Sequence, residues 1–228
     1  MNPPATAHPN ASSPGPSTIP QHALEGLQRS IVTGRLRPGQ RVAQEEIAAQ
    51  LGVSLAPVRE ALRILEQEGQ VTYLPRRGYF VTTLEAKDLE EIYELRSVLE
   101  ARAARGAVEN LDAKGLEQIV LAAQDCATAV AARDAAAELE ANRRFYFAIL
   151  EPAEQPHTMR LIRLLWDSTE AYRALCYDLP GQRRNAIEAH DRIVEAVRER
   201  DADRLIAELD AQRGRALAIV CEILRRPR

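Results

Sequence analysis

From Leu84 onward this 228-residue chain is written almost entirely in helical periodicity, which removes most architectures at once. Six segments carry it: 86–109, 113–132, 134–151, 156–178, 182–199 and 202–225, each with an apolar stripe along one face. In the first, Ile92, Leu95 and Leu99 are spaced to meet a neighbouring helix. Asp88, Asp112 and Asp201 stand near segment starts, where a carboxylate satisfies free amides and complements the helix dipole. Pro152, Pro156 and Pro180-Gly181 mark connections. The expected result is a six-helix antiparallel bundle, a fold that lodges ligands between its helices. Composition agrees: 46% hydrophobic residues suffice for cores, while 4% aromatics disfavour a β-sandwich.

The chain before the bundle has a different texture. Residues 1–20 contain proline and small polar residues but no charged side chain, and read as a disordered tail. Residues 21–84 form a compact first domain, with 85–228 as the second. Ala23, Leu24, Leu27, Ile31 and Val32 predict a helix that stops near Gly34, followed by a turn at Pro38-Gly39. A second helix starts near Gln44, with Ile47, Ala48 and Leu51 facing inward and Gly52 as its stop. Ser54 reads as the N-cap of a third, with Pro57 tolerated in its first turn. "VTYL" and "YFVTT", separated by "PRRG", then form a hairpin with Arg76, Arg77 and Gly78 near its tip.

Three helices and a hairpin in this order make a winged helix-turn-helix, whose reading helix presents its N-terminal residues to the major groove. On the helix after Ser54, Val58, Leu62 and Leu65 face the core, while Arg59 and Arg63 face outward. A basic hairpin tip suits phosphate or minor-groove contact. Residues 21–84 carry eight Arg against six Glu, whereas residues 86–228 carry 22 basic and 26 acidic groups. From periodicity alone a second reading stays open, since any three-helix domain has a surface helix with arginines. All basic residues except Lys87 and Lys114 are arginine. That bias suits guanine and phosphate recognition, and it equally suits a GC-rich genome.

Other classes find little support. Cys126, Cys176 and Cys221 are odd in number and far apart, with no disulfide framework or CxxC site. No apolar run reaches membrane-spanning length, and no secretory signal is apparent, so a cytoplasmic protein is expected. Walker A, GxSxG, HExxH and dinucleotide-binding motifs are absent, and His190-Asp191, adjacent on a helix, form no dyad, so an enzyme is not expected.

Ile31 to Val81 follow the pattern "I..G.L.PG..v.e..lA..LGVS..PVREAL..L..eG.v....r.G.fV". This resembles the DNA-binding domain of the GntR family of bacterial transcription regulators. "DLEEIYELRSVLEARAA" is similar to the start of the FadR C-terminal (FCD) type of effector domain, and six helices point to its VanR-like branch. The resemblance implies a homodimer on a palindromic double-stranded DNA operator, most often a repressor. It further implies a small effector, commonly a carboxylate, held in the bundle. DNA contacts carried over by position fall on Ser54, Ala56, Pro57, Arg59, Arg63, Arg77 and Gly78. Leu55 stands where relatives usually carry an arginine, so a different or weaker operator is expected.

Many such effector domains hold a divalent metal on one Asp and three His. Here the aligned residues are Asn142, Tyr146, His190 and Gln212, of which only His190 is a strong ligand. The expectation is a pocket without metal, in which these four and Arg96 bind the effector directly. Three alternatives remain at this point. The polar residues satisfy one another, the bundle only dimerises, or the protein is a metal-dependent sensor of the same family. Trp166, Tyr172 and Tyr177 are further candidates to line or cover the cavity.

Overall fold

The structure, a computed structural model, describes residues 18–177 and 181–225, excepting the side chains of Cys176 and Tyr177. The lining role considered for Tyr177 and most of the proline-rich tail therefore lie outside the described residues. Helix α1 (Ile19–Val32) already includes Ile19 and Pro20, two residues earlier than the spacing suggested. It buries Ala23, Leu27 and Ile31, one residue per turn. Helices α2 (Gln44–Leu51) and α3 (Leu55–Gln67) meet at Gly52, whose φ of 66° closes α2 in the left-handed region. Strands β1 (Val71–Leu74) and β2 (Gly78–Val81) pair antiparallel, Val71 opposite Val81 and Leu74 opposite Gly78. An isolated bridge from Arg41 to Phe80 adds a short third rung to this wing. Val58, Ala61, Leu62 and Leu65 of α3 are fully buried against α1, making a winged helix-turn-helix with its own core.

Helices α4 (Ala86–Asn110), α5 (Ala113–Ala132), α6 (Ala135–Leu150), α7 (Pro156–Ser168), α8 (Glu170–Tyr177), α9 (Gln182–Arg198) and α10 (Ala202–Arg225) build the bundle. A single 3₁₀ turn, Glu151–Ala153, links α6 to α7. The three aspartates act near helix starts as expected. Asp112 accepts from the Gly115 amide, Asp201 from that of Arg204, and Asp88 from the backbone N–H of Glu85.

Two expectations need correction. Among the described residues the bundle has seven helices rather than six, because the segment from 156 breaks at Thr169. The Thr169 hydroxyl donates to the carbonyls of Leu165 and Trp166, and Arg173 also donates to Trp166 O. Side-chain donors drawn to the last-turn carbonyls bend the path there. The count that pointed to the VanR-like branch is thus not met. The second correction concerns α4. Its buried stripe runs through Leu89, Tyr93, Arg96, Glu100, Ala103 and Ala107, leaving Leu95 47% exposed. Arg96 and Glu100 pair four residues apart, so two charged residues take the core face, while Ile92 and Leu99 stay half-buried against neighbouring cores and Leu95 alone of the three turns outward.

The two parts meet along α8. Ala171 packs against the core of the winged domain, and the buried Tyr172 hydroxyl accepts the Leu84 amide at 2.6 Å.

Candidate DNA-reading surface and effector cavity

Helix α3 presents its first turns as the sequence suggested, with differences at single residues. Arg59 and Arg63 are exposed, as are Ser54 and Ala56. Ser54 has the extended backbone of an N-cap, but its hydroxyl makes no capping hydrogen bond, contrary to the expectation. Pro57 is buried, so its ring shapes the helix start and is withdrawn from the surface. Leu55 is half-buried against the domain core, which gives the departure at this position a packing role. Arg59 Nε donates to Gln44 Oε1 at 3.3 Å, a partner 15 residues away that no periodicity marks. On the wing, the Arg77 guanidinium lies over the Phe80 ring at 5.3 Å. Gly78 has φ of 92°, a conformation that side-chain-bearing residues rarely adopt. Arg76 and Arg77 are both exposed at the tip.

Inside the bundle is a cavity of about 90 Å³. Of the five expected effector residues, Arg96, Asn142, Tyr146 and Gln212 line it. His190 does not. It sits behind Asn142, with Nε2 at 3.1 Å from Asn142 Oδ1 and its ring 4.4 Å from Phe145. Burial pushes its pKa down to about 4, so the ring is neutral near pH 7. Its Nδ1 is buried without a hydrogen-bond partner. A buried orphan lone pair costs less than a buried orphan N–H, which places the proton on Nε2, donating to Asn142 Oδ1. The Asn142 amide group is thereby oriented from behind. These residues do not suit a metal: the cavity offers two amides and a phenol at the matching positions, and the one imidazole sits behind them, engaged with Asn142. Among the described residues no three His, Cys, Asp or Glu converge elsewhere either.

Residues outside the expected effector set dominate the cavity's chemistry. Glu100, fully buried, accepts from Arg96 Nε at 2.8 Å, Trp166 Nε1 at 2.7 Å and Arg213 Nη2 at 2.6 Å. Burial works to raise its pKa, but Arg96 and Arg213 outweigh it and hold the carboxyl below its ordinary value. The guanidinium groups of Arg96 and Arg173 each lie 4.3 Å from the Trp166 ring centroid. Arg215 donates to Gln212, and Arg213 Nε is buried with no partner. Four arginines thus line the cavity against a single carboxylate, Glu100. Trp166 is a lining residue, while Tyr172 belongs to the contact with the winged domain. The sequence held one signal for Glu100, its i,i+4 spacing from Arg96, and had offered Trp166 as an aromatic candidate for the lining; Arg173 and Arg213 had none.

A winged helix-turn-helix joined to a helical bundle with a cavity between its helices defines a DNA-binding transcription regulator. Residues 20–81 match the bacterial regulatory proteins of the gntR family, and residues 91–211 match the FCD domain. The chain belongs to the GntR family, with an FCD C-terminal domain. It is 29% identical to the uncharacterized HTH-type transcriptional regulator YdhC of Bacillus subtilis, over 78% of this chain and 80% of that one. A probable D-xylose utilization operon transcriptional repressor of Paenarthrobacter nicotinovorans is 30% identical, over 82% of each chain. The solved structure of McbR/YncC from E. coli superposes with a TM-score of 0.80 at 26% identity, covering 91% of this chain and 99% of that one. These relatives are transcription regulators, not enzymes, and DNA binding falls to the gntR-type domain. No helix among the described residues is long and apolar enough to cross a membrane.

Proposed function

We propose that this protein is a cytoplasmic, homodimeric repressor whose grip on a palindromic operator is controlled by a small organic anion bound in the bundle. The observation that carries the ligand class is the charge of the cavity, four lining arginines against one lining carboxylate, with Asp210 pairing Arg213 from outside the lining and the Arg213 Nε atom left as a donor without a partner. Guanidinium groups bind carboxylates through paired, charge-assisted hydrogen bonds, and a buried excess of positive charge favours an anion that neutralises it. Asn142, Tyr146 and Gln212 would orient the rest of the ligand, with His190 holding Asn142 in place. Ser54, Ala56, Arg59, Arg63, Arg77 and Gly78 are assigned to the DNA interface, with Pro57 shaping the helix start. Leu95 and Val98 of α4 and Leu161 and Leu164 of α7 are exposed on helices that pack together, which supports a dimer contact there. The repressor assignment follows the Paenarthrobacter relative.

The test is a thermal-shift screen of small mono-, di- and tricarboxylates, followed by operator binding with each hit. An acid that stabilises the protein and weakens operator binding, with both effects lost in Arg213→Gln, is the expected result. Stabilisation only by uncharged ligands would remove the anion reading, and no shift with any acid would leave a bundle that only dimerises.

A further inference from the structure

Three consecutive residues at the start of α8 serve three different neighbours. Ala171 packs against the core of the winged domain. The Tyr172 hydroxyl, on a 2% exposed side chain, accepts the Leu84 amide at 2.6 Å and donates to Thr82 O at 3.5 Å. Both acceptor and donor belong to the connection from β2 to α4, the only covalent path between the domains. Arg173 points the other way: it lines the cavity, stacks over Trp166 and donates to the Trp166 carbonyl at 3.3 Å. The helix is short and is separated from α7 by the break at Thr169, where a change of helix direction is concentrated in one residue.

We infer that α8 is the strut through which cavity occupancy reaches the DNA-binding domain, with Arg173 as its input and Tyr172 as its output. The inference rests on the reading that the cavity takes an anion. The hydrogen bond from Arg173 to Trp166 O is long and its acceptor is neutral, so an anionic acceptor, paired in charge with the guanidinium, binds it more strongly. A bound anion therefore draws Arg173 off Trp166 O. Within one helical turn the backbone moves as a unit, so Tyr172 shifts with it and releases the Leu84 amide. The connection then loses its tie to the bundle, and the spacing of two reading heads on an operator is no longer held. Tyr93, which lines the cavity and also packs in the small apolar cluster with Tyr172 and Leu89, gives the strut a second contact on the same path.

The test needs no effector. Amide hydrogen exchange is followed on the full-length protein, comparing wild type with Tyr172→Phe, Arg173→Gln and the double variant. Exchange over residues 79–89 should rise about fivefold in each single variant, the scale of one lost hydrogen bond. The double variant should exchange no faster than either single one, because both act on the same tie. Exchange across α5 should stay at the wild-type level, which separates loss of the strut from general loosening. Wild-type protection of residues 79–89 in Arg173→Gln, or additive effects in the double variant, would overturn the proposal. Failure of the anion reading shows separately, as a protein that no acid stabilises.

Discussion

His190 illustrates how one residue keeps its identity while its role changes. A lone imidazole among former ligand positions reads as the remnant of a site, yet here it is a buried, neutral buttress for Asn142. Its titration has a definite sign. The folded protein holds the ring's pKa near 4 against an ordinary 6.5, so the unfolded chain binds the proton more readily. The corresponding stability is present above about pH 6.5 and is lost as pH falls from there towards about 4. Denaturant unfolding across this range should show that acid limb, flattened in His190→Gln; an unchanged limb in the variant would assign it to other groups. Leu55 and Pro57 are similar cases. Both lie in a surface-binding motif, and both turn partly or wholly inward.

At the scale of the element, α3 was legible because its determinants are local. Gly52, the extended Ser54, an apolar face and outward arginines all act within one or two turns of chain. What spacing could not supply was the Gln44 contact that holds Arg59. Arg59→Ala should weaken operator binding by about 1–3 kcal/mol if the guanidinium reads a guanine. Fluorescence anisotropy on operator and scrambled duplexes checks this, with dimerisation followed by sedimentation. Equal losses on both duplexes would mean that Arg59 touches phosphate only. Helix α4 shows the opposite situation. Its apolar residues allowed a stripe through Ile92, Leu95 and Leu99, but the buried one holds Arg96 and Glu100. Periodicity counts apolar residues and cannot register that a charged pair, once satisfied by partners on other helices, occupies the core face.

On the scale of the whole molecule, the winged domain rests on the bundle through more than α8. Glu68, the residue that closes α3, faces a second cavity shared by both parts, with Glu25, Gln28 and Arg29 of α1, Glu140 and Arg143 of α6, Asp167 and Glu170. Burial first, and then Asp167 and Glu170, push its pKa up to about 7, partly opposed by Arg143. For a raised acid the folded form binds the extra proton. Docking is therefore strongest below Glu68's ordinary 4.5, weakens as pH rises towards about 7 and levels off beyond. Limited proteolysis of the connection around residues 82–86, measured from pH 5 to pH 8, should speed up with pH, and Glu68→Gln should remove the trend. A trend that persists in the variant would place the titrating group elsewhere.

From the chain alone came the order of helices, the wing, the outward arginines of α3 and the family pattern that runs through them. Caps, glycines and apolar spacing exert their effects over a few residues, so they are written where they act. The tertiary structure alone decided what the cavity is. Glu100 comes from α4, Trp166 from α7, Arg173 from α8 and Arg213 from α10, and no local rule brings them together. Their charge excess, the withdrawal of His190 and the tie from Tyr172 to Leu84 exist only once distant helices pack, because side-chain electrostatics depend on distance in space and not along the chain.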